Sequence, residues 1–203
     1  MNTDIFLVRH SHVYNPINIS YGRLPGFCLS KAGIDQSLFL ANYFSNENIS
    51  AIFSSPQLRA IQTAEYLLTY YKNLNIQVID LLNEAFTPFD GEPIINLSKI
   101  EWDTYTDTSK PFEQPADILE RVRVFISLIN NEYNGKKIVA ITHGDIIAFT
   151  LLWLSDIPIA PKNKQRLKEV GICDNYPTHT SILKLTYSNC NNKPDFKYIS
   201  LAK

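Results

Sequence analysis

Two stretches of the chain decide the fold: Ile5-Phe6-Leu7-Val8-Arg9-His10-Ser11 near its start and Ile138-Val139-Ala140-Ile141-Thr142-His143-Gly144 in its second half. Each begins with four apolar, partly β-branched residues and reaches a histidine followed by a small residue. A short apolar run that stops at polar residues is typical of a strand buried on both faces of a parallel sheet. The sequence therefore predicts two central strands, each followed directly by a histidine.

Helical patterns lie between the strand candidates. Ser30 is a cap for a helix through about Phe44, Pro56 opens a second helix, and 117–129 repeats apolar positions at helical spacing. A weaker strand candidate, 51–53, precedes Pro56. This alternation predicts an α/β fold of three layers, α/β/α, with a mostly parallel sheet and helices on both faces.

The remaining segments complete this prediction. Residues 182–185 and 198–201 are strand candidates that could add an antiparallel edge. Segment 85–115 contains several prolines among aromatic and acidic residues and is expected to be a short lid insertion over one end of the sheet. With no repeat or flexible linker in the sequence, residues 1–203 are expected to form one domain.

Composition limits the partners and the location. The chain has 203 residues, 45% of them hydrophobic, and its 19 basic and 20 acidic residues give a net charge of −1. This balance predicts no nucleic-acid partner and no membrane partner. Cys28, Cys173 and Cys190 are widely spaced and indicate reduced thiols. The start of the chain lacks the basic region and long apolar region of a signal peptide, so a cytoplasmic location is expected.

The candidate site lies where the two best strands end. Open α/β sheets bind ligands at the carboxyl ends of their strands, which is where His10 and His143 are expected to lie. Gly144 opens a predicted helix, whose N-terminus favours an anion. Arg9 and Arg59, the second in the first turn of the helix after Pro56, bring two guanidinium groups to the same edge. Such a set suits a phosphomonoester, whereas a metal would want carboxylates among the histidines.

Four motifs of the chain together resemble the histidine phosphatase superfamily, the phosphoglycerate mutase-like enzymes. They are Phe6-Leu7-Val8-Arg9-His10-Ser11, Leu29-Ser30-x-x-Gly33, Ser54-Ser55-Pro56-x-x-Arg59-x-x-x-Thr63-Ala64 and Thr142-His143-Gly144. Each motif is short, but the four occur in the family's order and cover most of the chain.

The resemblance implies a role for each matching residue. His10 would be the nucleophile, and Arg9, Arg59 and His143 would hold the phosphoryl oxygens. The second ring N–H of His10 must then donate to a fixed acceptor, such as a backbone carbonyl, so that the attacking nitrogen keeps its lone pair. The general acid of the family follows the third strand, where this chain offers Glu84. Its pKa is expected to be raised by partial burial, and Asp80 and Glu92 are the alternatives.

The chain departs from the family at several positions. Ser11 and His12 stand where the family reads Gly-Glu, and Pro16 stands where an asparagine often touches phosphate, with Asn15 one position earlier. Asn15 is therefore a candidate phosphate ligand. The loop 21–27 also differs from the usual pattern and adds another candidate cation, Arg23.

Four further residues have less certain places. His12 could be a second acid of the pocket or simply fill the family's glutamate position, and His179 could line the pocket from a late loop. Arg121 and Arg123, on the helix predicted over 117–129, are expected to face solvent or to pair with Glu120.

The function expected from these observations is a phosphatase that hydrolyses a small phosphorylated metabolite through a phosphohistidine, without metal or organic cofactor. A phosphoglycerate mutase is the nearest enzymatic alternative, although the lid is short and net acidic where mutases carry a longer cationic insertion. A phosphatase of the cobalamin pathway, a phosphatase acting on phosphohistidine in a partner protein, and a catalytically silent phosphate-binding protein also stay open. The sequence gives no indication of oligomeric state.

Overall fold

A computed structural model describes residues 2–172, 175–188 and 193–201. Its framework is one mixed sheet with the strands β1 (Thr3–Arg9), β2 (Ile49–Ser54), β3 (Ile76–Val78), β4 (Lys137–Thr142), β5 (Ile182–Tyr187) and β6 (Asp195–Ile199). The strand order is β3-β2-β4-β1-β5-β6. The first four strands pair with one another in parallel, and β5 is antiparallel to both β1 and β6.

The apolar runs 5–8 and 138–141, which predicted two central strands, form β1 and β4. These strands lie side by side in the middle of the sheet. Residues 5–8 and 138–141 are at most 3% exposed, because helices cover both faces of the sheet. The register places Arg9 opposite Thr142. His10 and His143 therefore leave the sheet at the same edge, next to each other.

The described residues form five α-helices: α1 (Lys31–Phe44), α2 (Leu58–Leu67), α3 (Ile94–Lys99), α4 (Pro115–Glu132) and α5 (Gly144–Leu154). A short 3-10 helix occupies Asp80–Leu82, and a longer one occupies Pro161–Val170. Alternate residues of β1 divide the core. Phe6 and Val8 pack in a cluster with α1 and α2, whereas Ile5 and Leu7 pack in a cluster with α4 and α5. The predicted α/β/α layering is confirmed.

Helix ends follow the sequence signals closely. The hydroxyl of Ser30 accepts a hydrogen bond from the amide of Gly33 and caps α1, as predicted. Helix α4 begins at Pro115, two residues before the predicted start, because Gln114 and Asp117 form a reciprocal capping box around the proline. Among the described residues, none of the helices combines the length and the hydropathy that crossing a membrane requires.

Segment 85–115 lies over the edge of the sheet where the histidines emerge. It contains α3 and the buried Tyr105, and it is joined to the loop after β1 by a β-bridge between Ile19 and Pro93. The predicted antiparallel edge is present as β5 with β6. Cys28 is a free thiol, and Cys173 and Cys190 lie outside the described residues.

Candidate active site

The two histidines at the strand ends meet in the interior. The ring centroids of His10 and His143 are 5.2 Å apart, and the two residues are 1% and 0% exposed. The amide of His10 donates to the carbonyl of Thr142 at 2.9 Å, which continues the β1–β4 ladder up to the first histidine. Backbone pairing thus fixes the position of both rings.

The tautomer of His10 follows from its neighbours. Its Nδ1 lies 2.8 Å from the carbonyl oxygen of Ser11, which can only accept, so Nδ1 carries the proton and Nε2 carries the lone pair. Burial, followed by the positive charge of Arg59, lowers the pKa of His10 well below its ordinary value. The ring is therefore neutral at neutral pH and presents Nε2 as a nucleophile.

Arg59 brings a guanidinium group to that nitrogen from the first turn of α2. Its side chain is fully buried, with Nε 3.3 Å from Nε2 of His10, and it packs over the ring of Tyr21 at 4.7 Å. Its Nη2 donates to the carbonyl of Gly22 at 2.8 Å. A loop that the sequence marked as atypical therefore holds this arginine in place.

Glu84 reaches the same point from the chain that follows β3. Its Oε2 lies 3.1 Å from Nδ1 of His143 and 3.3 Å from Nη2 of Arg59. Nε2 of His143 lies 2.7 Å from the hydroxyl of Ser55. A carboxylate can only accept, so His143 donates through Nδ1 and accepts from Ser55.

The expectation that burial raises the pKa of Glu84 is wrong for the free protein. Desolvation is the largest single influence and does raise it, but His143, Arg59 and the Ala85 amide together outweigh desolvation and hold the pKa well below its usual range. Burial, opposed mainly by Glu84, lowers the pKa of His143 to about 4. At neutral pH the pair is a carboxylate beside a neutral imidazole.

Arg9 supplies a second guanidinium group with a donor that is not used. Nη1 donates to the carbonyl of Pro177 at 2.5 Å, and the group packs over the ring of Tyr176 at 5.1 Å. Its Nε is buried and has no hydrogen-bond partner among the described residues. Because Arg9 and Arg59 outnumber the single carboxylate of Glu84, the cluster is suited to an anion.

A metal ion is a poor fit for this cluster. His10, Glu84 and His143 place ligand atoms within 4.8 Å of one another, which is the kind of set that could hold one. The guanidinium of Arg59, however, lies 3.3 Å from an atom of each of these three residues. A divalent cation would be repelled by that fixed positive charge, whereas the oxygens of a phosphate would be attracted.

Two of the residues predicted to bind phosphate do not join the cluster. The amide group of Asn15 donates to the carbonyl of Ile19 and accepts from its N–H, so it is used within its own loop. Arg23 donates to the backbone carbonyl of Glu84 at 2.8 Å and to the carboxylate of Glu113 at 2.9 Å. Both assignments came from chain position, which does not determine how a loop turns.

His179 lies beside His10, whereas His12 is exposed. The ring of His179 is 5.6 Å from that of His10 and 5.3 Å from that of His12. Burial, then Arg9, lowers the pKa of His179 to about 3, and its Nε2 is buried without a partner among the described residues. Nδ1 of His12 is 2.8 Å from the hydroxyl of Ser30. Of the two, His179 has the position of a pocket residue.

A clamp of three side chains, Arg23, Glu113 and Arg121, fixes the backbone at Glu84. Arg121 pairs with Glu113 at 2.7 Å and donates to the carbonyls of Leu81 and Glu84, and Glu113 accepts from the Phe86 amide at 2.8 Å. The prediction that Arg121 faces solvent or pairs with Glu120 is wrong, because the lid offers it the carboxylate of Glu113 and the chain before the lid offers it two carbonyls. Arg123 does pair with Glu120, at 3.5 Å.

A cavity of about 810 Å³ opens from the cluster under the lid. Arg9, Tyr21 and Glu84 line its inner end, and Trp102 and Lys164 line its outer part. Tyr21, Ser55 and Lys164 were not singled out from the sequence. Tyr21 lies in the atypical loop 21–27 and Ser55 lies in one of the four motifs, whereas Lys164 lies in a segment without any recognisable pattern.

Known phosphatases resemble this chain in sequence and in fold. A candidate phosphoserine phosphatase of Hydrogenobacter thermophilus is 28% identical in an alignment of 183 residues that covers 84% of this chain and 87% of that protein. A mycobacterial glucosyl-3-phosphoglycerate phosphatase has the same fold, with a TM-score of 0.74 at 19% identity, over 98% of this chain and 97% of that one. Phosphoserine phosphatase of Entamoeba histolytica, solved with 3-phosphoglyceric acid, gives a TM-score of 0.74 at 20% identity, over 98% and 97%.

The family model for the histidine phosphatase superfamily (branch 1) matches residues 5–188, which is most of the chain. This range includes the residues that meet in the site, namely Arg9, His10, Arg59, Glu84 and His143. This protein belongs to the histidine phosphatase superfamily.

Proposed function

We propose that this protein is a cytoplasmic phosphatase that hydrolyses a small phosphomonoester through a phosphohistidine on His10. One observation carries the proposal: the Nε2 lone pair of the buried, neutral His10 lies 3.3 Å from the Arg59 guanidinium. A nucleophile without a proton, set among cationic donors, is what attack on a phosphoryl group requires.

In the first step Nε2 of His10 attacks phosphorus in line while the bond from phosphorus to the ester oxygen breaks. Charge spreads over the three phosphoryl oxygens in a loose transition state. Arg9, Arg59 and the Nδ1–H of His143 are the donors available to these oxygens, and the N-terminus of α5 at Gly144 adds its positive end. The carbonyl of Ser11 holds the Nδ1 proton and stabilises the positive ring of the phosphohistidine.

Glu84 protonates the leaving oxygen, although it is ionised in the free protein. A phosphate dianion next to Glu84 opposes its negative charge and draws Arg59 and His143 toward the phosphoryl oxygens. Both changes raise the pKa of Glu84, so the carboxyl group takes up a proton as the substrate binds. The low pKa of the free state is therefore compatible with a general acid in the bound state.

In the second step water attacks the phosphohistidine and the P–N bond breaks. Glu84, ionised after the first step, accepts one proton from this water, and Nε2 of His10 recovers its lone pair. The sum is an ester and water giving an alcohol and inorganic phosphate, with no redox change and every group of the protein restored.

Hydrolysis of p-nitrophenyl phosphate in EDTA tests the proposal. We expect measurable turnover for the wild type and none for the His10→Ala variant. Radiolabelled substrate should leave acid-labile phosphate on the wild type after rapid quenching. Equal, negligible rates in the two proteins would contradict a phosphatase, and turnover without any acid-labile label would point to direct attack by water.

A further inference from the structure

The outer wall of the cavity carries a buried polar cluster that the two-step reaction does not use. Lys164 and Asp145 form an ion pair, with 3.2 Å between Nζ and Oδ1 and side chains only 11% and 12% exposed. The hydroxyl of Tyr176 donates to Oδ1 of Asp145 at 2.9 Å, and the hydroxyl of Tyr105 donates to Oδ2. All four side chains line the cavity, and we call them the outer-wall cluster.

The hydrogen bonds within this cluster determine what it can offer to a ligand. Both oxygens of Asp145 already accept from Lys164 and a tyrosine. Burial raises the pKa of Tyr105 and of Tyr176 well above the ordinary value, with Asp145 as the next contributor, so both hydroxyls stay protonated. The tyrosine oxygens can still accept a hydrogen bond, whereas Lys164 already donates to both oxygens of Asp145 and to the carbonyl of Trp102. A ligand hydroxyl group, which can donate to a tyrosine oxygen without bringing a charge, complements this wall.

The charge of the cavity argues against a second anionic group on the ligand, besides its phosphate. Beyond Arg9 and Glu84, the described lining includes three lysines and four carboxylates: Lys99, Lys162, Lys164, Asp90, Glu101, Asp103 and Asp145. These charges nearly cancel, so the wall does not attract a carboxylate or a further phosphate. The outer part of the cavity is therefore built for an uncharged group.

The size and the aromatic surface of the cavity favour a ring. Its volume of about 810 Å³ lies in the range of pockets that enclose drug-sized ligands. Trp102 lines it with 48% of the residue exposed, and an indole face is well suited to pack against the C–H face of a ring. Tyr176 also packs against Arg9, so the outer wall has a fixed distance from the phosphate end.

We propose that the outer-wall cluster selects the organic part of the substrate and that it takes an uncharged, polyhydroxylated ring, so that the substrate class is sugar monophosphates. This inference rests on the proposed phosphatase function, since it assigns the substrate of the same cavity.

Rates on four substrates test this selection. We expect kcat/KM for glucose 6-phosphate to exceed that for 3-phosphoglycerate and for phosphoserine by at least about tenfold, because the latter two carry charged groups against the wall. In the double variant Asp145→Asn/Lys164→Met, the ratio of kcat/KM for glucose 6-phosphate to that for p-nitrophenyl phosphate should fall about tenfold. Both charges are removed together because a single change would leave a buried charge unpaired.

The controls separate selection from folding and from catalysis. Arg166→Gln/Glu169→Gln removes an exposed ion pair of the same segment and should leave the ratio unchanged. Tyr105→Phe, a smaller change, should lower the ratio in the same direction and serves if the double variant does not fold. A wild type that prefers 3-phosphoglycerate or phosphoserine, or a ratio that neither variant changes, would overturn the inference. If no ester is hydrolysed at all, the phosphatase proposal fails, and calorimetric binding of glucose 6-phosphate against 3-phosphoglycerate then decides the inference alone.

Discussion

Nε2 of His10 and Nε of Arg59 are 3.3 Å apart in the interior of the protein. Because Nδ1 of His10 donates to a carbonyl, the guanidinium N–H of Arg59 points at the lone pair of the nucleophile. In the free protein this contact partly occupies that lone pair. A phosphoryl oxygen is a stronger acceptor for a guanidinium group than a neutral imidazole is, so in the proposed reaction we expect substrate binding to free the lone pair of His10.

Replacement of Arg59 by lysine should therefore fail to preserve activity. A lysine ammonium is a point charge that cannot bridge two oxygens as a planar guanidinium does. We expect kcat/KM to fall by roughly 10²- to 10³-fold, the cost of losing one donor to a developing oxyanion. Steady-state kinetics with circular dichroism as a folding control checks this, and a loss below about fivefold would show that Arg59 does not contact the transition state.

If Glu84 is the general acid, the effect of Glu84→Gln on the rate should depend on how basic the leaving group is. An alkyl phosphate releases a strongly basic alkoxide and needs a proton, whereas p-nitrophenolate leaves without one. We expect kcat to fall by roughly 10²- to 10⁴-fold on an alkyl phosphate and much less on p-nitrophenyl phosphate. Equal losses on the two substrates would mean that Glu84 acts by charge or position and not as an acid.

Loss of the clamp on the backbone of Glu84 should slow the proton transfer and should change substrate binding little. Glu113→Gln removes the carboxylate that joins Arg23, Arg121 and the Phe86 amide. We expect kcat on an alkyl phosphate to fall by roughly 10- to 100-fold through misplacement of Glu84, with a smaller change on p-nitrophenyl phosphate. Glu120→Gln, an exposed glutamate of the helix that carries Arg121, is the matched control. A defect equal on both substrates would identify a general loss of structure.

Stability should decrease as the solution is made acidic, with a contribution from His143. Its pKa is about 4 in the folded protein against 6.5 for the free side chain, so the unfolded chain binds the proton first. The free energy of unfolding therefore falls as pH drops from 6.5 toward 4, by about 1.4 kcal/mol per pH unit for each such histidine. His10 and His179 shift in the same direction.

Urea denaturation at several pH values measures this slope. His143→Gln should flatten the dependence between pH 6.5 and 4, the window set by its own pKa values. Glu84 is not expected to interfere in most of this window, because its lowered pKa affects stability only below its ordinary value of 4.5. An unchanged slope in the variant would contradict a buried neutral His143.

Much of the fold could be predicted because its signals are local. The apolar runs at 5–8 and 138–141 are buried by any sheet that has helices on both faces, and the cap at Ser30 satisfies the amide of Gly33 only three residues away. The short β3 at 76–78 was not located, since two of its three residues are exposed and no apolar pattern marks it.

In the candidate site, too, the residues placed by local signals were predicted and those placed by distant partners were not. The rule that parallel strands end at one edge anticipated the meeting of Arg9, His10, Arg59 and His143. Arg23, Asn15 and Arg121 were misplaced, because the direction of a side chain in a loop or on a helix surface depends on partners from distant parts of the chain. Glu113, for example, is 90 residues from Arg23 in the sequence.

The sequence by itself determined the layering of the protein, the central strands and the identity of the buried histidine pair, since periodicity and short motifs carry that information. Only the tertiary structure decided how protons and charges are arranged. The lowered pKa of Glu84 and the neutral outer wall at Lys164 and Asp145 depend on distances between residues separated in the chain, and the tautomer of His10 depends on how the backbone turns at Ser11. Electrostatic interactions depend on distance and burial, and neither is written in the order of the residues.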